Sequence, residues 1–238
     1  RFQNTDLLDA ANLLGRMALA LGTSMNDQHR LGLDLNANAG GDLFFLGSIL
    51  PGFPAAANAG VATVQASIQT SPASGATALA ASDYEMVFAT ATSGTIKRVS
   101  DGVITAFGAV PADIDGLRLQ VAGAPAAGDR FLITPYRQAA SSMDTRFSSP
   151  RLLAMASPVA ARAGTGNQGN LTLQSLAPQQ ANVNLGQTVT LTFTGAGTFD
   201  VVGTGTGNPT GVTYTSGQAI SYNGWALTLR GSPQVGDT

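Results

Sequence analysis

The stretch Asp115-Gly116-Leu117-Arg118-Leu119-Gln120-Val121-Ala122-Gly123-Ala124-Pro125-Ala126-Ala127-Gly128-Asp129 returns near the end of the chain. There it reads Asn223-Gly224-Trp225-Ala226-Leu227-Thr228-Leu229-Arg230-Gly231-Ser232-Pro233-Gln234-Val235-Gly236-Asp237. The shared pattern is Asp or Asn, Gly, three alternating apolar positions, then Gly-x-Pro-x-x-Gly-Asp. An Asp/Asn-Gly pair fills tight turns whose central residues have positive φ. The alternating Leu117, Leu119 and Val121 give one apolar strand face, and the Gly/Pro spacing makes a fixed turn into a further strand. In the first copy that strand is Arg130-Phe131-Leu132-Ile133, whereas the second copy reaches Thr238 where its counterpart would start. The repeat predicts related β modules over residues 57–137 and 168–238. Leu117 and Trp225 then occupy equivalent buried places, and the second module lacks its last strand.

Outward from the repeat, the pattern stays strand-like. Val61–Ile68, Tyr84–Phe88, Thr95–Val99 and Val103–Phe107 are short β-forming runs punctuated by turn residues such as Asp101-Gly102. Val189–Phe193 corresponds to Tyr84–Phe88, and Leu171–Gln174 to the Val64–Ile68 strand. Short strands between Gly/Asp/Pro turns indicate antiparallel sandwiches or partly open barrels. Ala163-Gly164-Thr165-Gly166-Asn167-Gln168-Gly169 has the composition of a flexible linker.

The N-terminal segment is different. Leu7, Ala11, Leu14, Ala18, Leu21 and Met25 follow a 4-3-4-3-4 spacing, the seam of a helix packed along other helices at a shallow angle. Thr5 or Asp6 is the expected cap, and Gly32 or Gly40-Gly41 the stop. One helix over residues 6–30 cannot bury its own seam, so its partners are expected outside this chain segment or in another copy. The expected fold is therefore mainly β with an N-terminal long α-helix, in which tandem antiparallel modules project from a helical segment. The expected boundaries are 1–52 for the helical, tube-forming segment, 53–140 for the first β domain, 141–168 for a connector and 169–238 for a truncated repeat.

Composition narrows the function. The 238 residues include 12 Lys+Arg, 14 Asp+Glu, one His and no Cys. Without Cys there is no disulfide frame, thiolate zinc site or cysteine nucleophile. A net charge of −2 with 11% charged residues excludes a broad basic face for nucleic acid. No apolar run reaches the roughly 18–20 residues of a membrane span. With Arg1 at the start and a turn at the end, the chain reads as an internal segment of something longer.

Residues 26–47 carry a specific resemblance: Asn26-Asp27-Gln28-His29-Arg30, then Gly32-Leu33-Asp34-Leu35-Asn36, then Gly40 to Leu43-Phe44-Phe45. This resembles the bacterial flagellar hook-associated protein 1 family, the first hook–filament junction proteins. In that family a long helix ends in Asn-x-Gln-His, followed by Gly-x-Asp-Leu-Asn and Gly-x-x-Phe-Phe. Residues 84–134, with Asp83-Tyr84, Asp115-Gly116-Leu117 and Gly128-Asp129, resemble the β domain that follows. Residues 157–238 depart from the shorter members and look like an added β domain. The resemblance implies a structural role without catalysis: helices forming an axial tube, β domains projecting outward, and a junction between hook and filament. It also implies export by the flagellar type III system, a secreted, extracellular location in the flagellum, and a part in motility. The implied partners are other copies of itself, the hook protein and the second junction protein, with an export chaperone engaged outside this segment. No nucleic acid, membrane, metal or cofactor is implied.

The candidate site residues follow from both readings. Leu7, Ala11, Leu14, Ala18, Leu21 and Met25 are the packing seam. His29, Asp34, Asn36, Phe44 and Phe45 form the helix-to-β junction, with Phe44 and Phe45 seating the β domain. His29 lacks His or Cys neighbours in sequence, which suits a helix-end hydrogen bond better than a ligand or base. Asp34-x-Asn36-x-Asn38 and Asp42 imitate a calcium loop, but Gly is misplaced and no Glu stands at the twelfth position, so an Asx-rich turn fits better. Gly203-Thr204-Gly205-Thr206-Gly207 has no surrounding βαβ unit and reads as a β-loop. Tyr222 and Trp225 could stack on a sugar in an extracellular adhesin or carbohydrate-binding module, the rival reading. A hydrolase with an unrecognised site is the second rival, and no local carboxylate pair supports it.

Overall fold

A computed structural model describes residues 6–69 and 75–238, so Thr5, one of the two expected helix caps, lies outside the described residues. The chain divides into two compact units, Arg1–Asp27 with Asp42–Phe147, and Gln28–Gly41 with Ser148–Thr238. The fold is mainly β with one long N-terminal helix.

In the first unit the helix α1 (Leu7–Arg30) supplies all but its last three residues. The strands are β1 (Phe44–Phe45), β2 (Phe53–Pro54), β3 (Thr63–Ile68), β4 (Tyr84–Phe88), β5 (Gly94–Arg98), β6 (Ile104–Phe107), β7 (Ala112–Ile114), β8 (Leu117–Ala122), β9 (Arg130–Ile133) and β10 (Asp144–Thr145). They form a five-stranded sheet in the order β2-β9-β4-β5-β6 and a three-stranded sheet in the order β3-β8-β7, with β1 and β10 paired separately. Every pairing is antiparallel. Both sheets feed one core: Val64, Ala66, Leu117 and Leu119 from one, Tyr84, Met86, Phe88, Ile96, Phe131 and Ile133 from the other. This is a β-sandwich. Its strands read as the period-2 alternation requires: Tyr84, Met86 and Phe88 point inward, Glu85 and Val87 only partly so. Phe88 meets Phe107 and Phe131 edge-to-face at 5.5 and 5.9 Å between ring centroids, a favoured geometry for aromatic pairs.

The second unit holds β11 (Thr172–Pro178), β12 (Thr190–Gly195), β13 (Thr198–Val202), β14 (Val212–Thr213), β15 (Ala219–Tyr222) and β16 (Trp225–Arg230). Its two three-stranded antiparallel sheets run β11-β16-β15 and β12-β13-β14. A smaller core gathers Phe193, Phe199, Val201 and Tyr214, with Leu171, Val189, Leu191, Ile220, Tyr222 and Leu229 packed against it. The strand expected at Leu171–Gln174 runs from Thr172 to Pro178 along β16, with a register shift between Leu173 and Ser175.

The two Asp/Asn-Gly turns have the same backbone. Asp115 and Gly116 sit at φ 46° and 75°, Asn223 and Gly224 at 47° and 85°. Both positions are left-handed, which Asn, Asp and Gly adopt at lowest cost. Each turn sets one cross-strand pair, Ile114 opposite Leu117 and Tyr222 opposite Trp225. Leu117 and Trp225 are both buried. Gln69 and Gln179 each donate a backbone N–H at 2.8 Å to the turn glycine, Gly116 or Gly224.

Candidate functional site

The helix has two unlike faces. Its buried positions are Asn12, Gly15, Leu19, Gly22, Asn26 and His29, a 3-4-3-4-3 spacing. The residues picked out by hydrophobic spacing lie elsewhere: Leu7, Leu14 and Leu21 are 53%, 58% and 58% exposed, Met25 is exposed too, and Ala11 and Ala18 lie between them. Leu8, Leu13 and Met17 widen this apolar surface.

The buried face works by close approach and hydrogen bonding rather than by apolar bulk. Gly15 lies so near the Tyr136 backbone that a Cβ would collide with its carbonyl oxygen, and Gly22 lies against the Leu46 side chain. Asn12 is buried on this face, and the Asp83 carboxylate is buried with its Oδ1 unpaired. Burial pushes that carboxyl above its ordinary value, against the pull of Arg137 at 3.7 Å. Asn26 makes a two-pronged clasp on one peptide unit: its Nδ2 donates to the Phe44 carbonyl and its Oδ1 accepts from the Phe44 N–H, both at 2.9 Å. An amide side chain suits this because it carries a donor and an acceptor together. Hydrophobic spacing cannot detect Gly15, Gly22, Asn12 or Asn26. Their own regular spacing was the available signal.

The junction residues divide between the units. Phe44 is held by Asn26 and pairs across from Thr145. Phe45 is half-exposed, with the Arg146 guanidinium 5.1 Å from its ring centre. In the second unit, His29 is buried and uses both ring nitrogens: Nδ1 lies 2.7 Å from the Gly41 carbonyl, and Nε2 accepts the Ala154 N–H at 2.8 Å. One donor and one acceptor match the neutral imidazole with its proton on Nδ1. Leu33 exchanges backbone hydrogen bonds with Ala156 at 2.8 and 3.1 Å, so His29 and Leu33 together stitch the post-helix loop to residues 154–156. Asp34 Oδ1 accepts the backbone N–H of Asn36 at 2.7 Å and of Asn38 at 2.9 Å, which is an Asx turn. The amide of Asn38 foremost, and that of Asn36, hold its carboxyl below the ordinary value. Ala37 takes the left-handed corner at φ 61°. Trp225 is buried and Tyr222 packs on the second core, 6.0 Å from it between ring centres, so neither offers an open face to a sugar.

The Gly-Asp ends of the repeat prove to be caged carboxylates. Asp129 accepts backbone N–H groups from Ala59, Gly60 and Ala126, at 2.8, 3.1 and 2.8 Å. Asp237 accepts from Gln168, Gly169 and Gln234 at 2.7, 3.0 and 2.8 Å. These amides, Ala126 foremost for one and Gln234 for the other, hold both carboxyls below the ordinary value. The Asn-x-Gly triplets Asn58–Gly60 and Asn167–Gly169, which form one wall of each cage, are a further sequence correspondence outside the repeat of residues 115–129 and 223–237.

Among the described residues no helix is long and apolar enough to cross a membrane, and no group of three or more His, Cys, Asp or Glu converges as a metal site. Residues 1–44 match the flagellar hook-associated protein FlgK helical domain, and residues 56–135 match the flagellar hook-associated protein 1, D2-like domain. The chain is 30% identical over 193 residues to flagellar hook-associated protein 1 of Escherichia coli (strain K12), covering 76% of this chain and 32% of that protein. It is 32% identical over 161 residues to the Salmonella typhimurium protein of the same name, covering 66% and 28%. The chain thus spans about a third of the length of these relatives. The structure of the flagellar hook junction protein FlgK from Burkholderia pseudomallei superposes with a TM-score of 0.71 at 24% identity, over 96% of this chain and 47% of that one. Two matched domains, the relatives in two organisms and a shared fold across both units lead to one conclusion: the chain belongs to the flagellar hook-associated protein 1 family.

Proposed function

We propose that this chain is a non-catalytic structural segment of the flagellum at the hook–filament junction, exported from the cell, and that the exposed stripe of α1 is its assembly surface. The observation that carries the proposal is the division of labour on the helix. Asn12, Gly15, Leu19, Gly22 and Asn26 attach it to its own β-sandwich, which leaves Leu7, Leu14, Leu21 and Met25 in water. A stripe of large apolar side chains at heptad spacing is costly to expose and suits packing along other helices. The relatives are hook-associated proteins, which supports other copies of this chain, the hook protein and the second junction protein as the neighbours. Phe44, held by Asn26, keeps the start of the β region attached to the helix, and His29 and Asp34 fix the loop between them. A sugar-binding role would need an open aromatic row, and Trp225 and Tyr222 do not form one.

The test is Leu14→Glu with Leu21→Glu in the full-length protein. Both side chains are more than half exposed, so the isolated segment keeps its helicity and stability within about 0.5 kcal/mol. Cells carrying the double variant secrete the protein but lose filament attachment and swimming. Normal swimming with a folded, secreted variant would overturn the assignment of the stripe.

A further inference from the structure

The two copies of the hairpin turn differ in one chemical respect. The first is Asp115-Gly116, and the second is Asn223-Gly224, the single Asn-Gly pair in the chain. Their side chains do different work. Asp115 only accepts: its Oδ2 takes the Tyr84 hydroxyl at 2.8 Å and lies 3.3 Å from the Arg98 guanidinium. Asn223 both accepts and donates. Its Oδ1 takes the Gly205 N–H at 3.0 Å, and its Nδ2 donates to the Gly203 carbonyl at 3.4 Å. A carboxylate could not make the second contact, because it carries no donor.

An Asn followed by Gly carries a reaction of its own. The glycine nitrogen can attack the Asn Cγ, unhindered because glycine has no Cβ. A new C–N bond closes a five-membered imide, the Cγ–Nδ2 bond breaks, and ammonia leaves with the glycine's amide proton. Water then opens the imide at one carbonyl or the other, leaving aspartate or isoaspartate. At Asn223 the structure opposes ring closure from both sides. Residues 203 and 205 engage the side-chain amide on its nitrogen and its oxygen. The peptide that must turn toward it is fixed too. The Gly224 carbonyl accepts the N–H groups of Gln179 at 2.8 Å and Gln180 at 3.0 Å, and Tyr222 and Trp225 on either side are a cross-strand pair. The loop of residues 203–205 is itself tied by Asn208, whose Oδ1 accepts the Gly203 N–H at 2.9 Å.

We propose that Asn223-Gly224 is a self-modification site gated by this loop: it stays intact while residues 203 and 205 hold the Asn223 amide, and it converts to aspartate and isoaspartate, releasing ammonia, once the loop opens. The turn is half-buried, so the water that hydrolyses the imide has access. Either product undoes the hydrogen bonding seen here. Aspartate sets a carboxylate oxygen against the Gly203 carbonyl. Isoaspartate adds a backbone carbon to a two-residue turn, and the turn is what fixes a hairpin's register, so Trp225 loses its pairing with Tyr222. The site therefore records how long this part of the second unit has spent open. The first copy keeps no such record: Asp115 has no ammonia to lose, and Tyr84 and Arg98 hold its carboxylate.

The chain of residues 1–238, incubated in warm, mildly alkaline buffer and followed by peptide mass spectrometry, reads the reaction as a gain of one mass unit at position 223. The isoaspartyl peptide separates by chromatography. In urea that unfolds the second unit, as Trp225 fluorescence reports, the gain is faster than in native buffer by roughly tenfold or more, as for a site exposed only on opening. Asn208→Ala, which frees the Gly203 N–H, speeds it several-fold in native buffer. The unaltered chain gives a second reading should that variant fail to fold: its rate climbs at urea concentrations below the Trp225 transition, because the loop opens before the unit unfolds. Equal rates in native and unfolded chains overturn the proposal, as does an unfolded chain that gains no mass at position 223. An Asn208→Ala rate equal to that of the unaltered chain, or a rate that rises only with the Trp225 transition, removes the loop as the gate.

Discussion

The two β-sandwiches share a frame but not a core. In the first, the alternating positions of the central strand, Tyr84, Met86 and Phe88, are all sealed from water. In the second, only Phe193 is sealed, and Val189 and Leu191 remain half-open. The hydrogen bonds of the cages are the same in both to within a few tenths of an ångström. The comparison separates two tasks that a single module would confound. Hydrogen-bonded corners set the path of the chain, while the side chains between them decide how much apolar surface leaves the water. Apolar burial is the larger energetic term, so the two units should differ in stability although their corners match.

The largest expected effect tests the cores. Phe88→Ala removes a ring packed on two others and costs about 3–5 kcal/mol, while Phe193→Ala, in the smaller core, costs about 3 kcal/mol or less. The two units can be followed separately. Trp225 is the single tryptophan and is buried in the second unit, so its fluorescence follows that unit, and ellipticity at the helix wavelength follows mainly the first. In urea the fluorescence transition of the unaltered chain precedes the helical one. Coincident transitions would mean the two units unfold as one.

A smaller effect sharpens the contrast at one strand position. Met86→Ala costs about 2–5 kcal/mol from a sealed site, and Leu191→Ala about 1 kcal/mol from a half-open one. Equal losses in urea titrations of both variants would show that the exposure of Leu191 carries no energetic consequence.

The smallest effect is in pH. Asp129 and Asp237 have carboxyls lowered by caging amides, so their contribution is complete above the ordinary carboxylate pKa and is lost as pH falls through the lowered one. Asp83 in the first unit is raised by burial, so its penalty at neutral pH is relieved as pH falls toward the ordinary value. The first unit therefore gains slightly on mild acidification, and both units weaken below the ordinary carboxylate range. The separation between the two urea midpoints widens between pH 7 and pH about 4. A separation that narrows would contradict the burial of Asp83 as the cause.

How much of this was legible in the sequence follows from what each residue type signals. Tyr84–Phe88 and Leu117–Val121 alternate in hydropathy, so their strands and inward faces could be read, as could the paired turns at Asp115-Gly116 and Asn223-Gly224. The apolar stripe of the helix was equally visible. Its attached face was not, because glycine and asparagine carry no hydrophobic signal even where they permit the closest contact. Strands β13 to β15 carry little sequence signal because Gly and Thr dominate the chain around them and weaken the alternation. The cages are only partly local: Ala126 and Gln234 lie three residues before their carboxylates, but the other amides lie roughly seventy residues away, beyond the reach of any local motif.

Those cages have a consequence for how such a chain can be remodelled over generations. Asp129 ties Ala59-Gly60, just ahead of β3, to the turn after β8, and Asp237 ties Gln168-Gly169, just ahead of β11, to the turn after β16. A run of strands whose opening and closing turns are fastened side by side carries its own fastening when it is copied. The carboxylate acts as a buckle that travels with the unit. Gene duplication then needs no new interface to close the added piece, which is how one ancestral sandwich can become a chain of them without disturbing the helix that carries it.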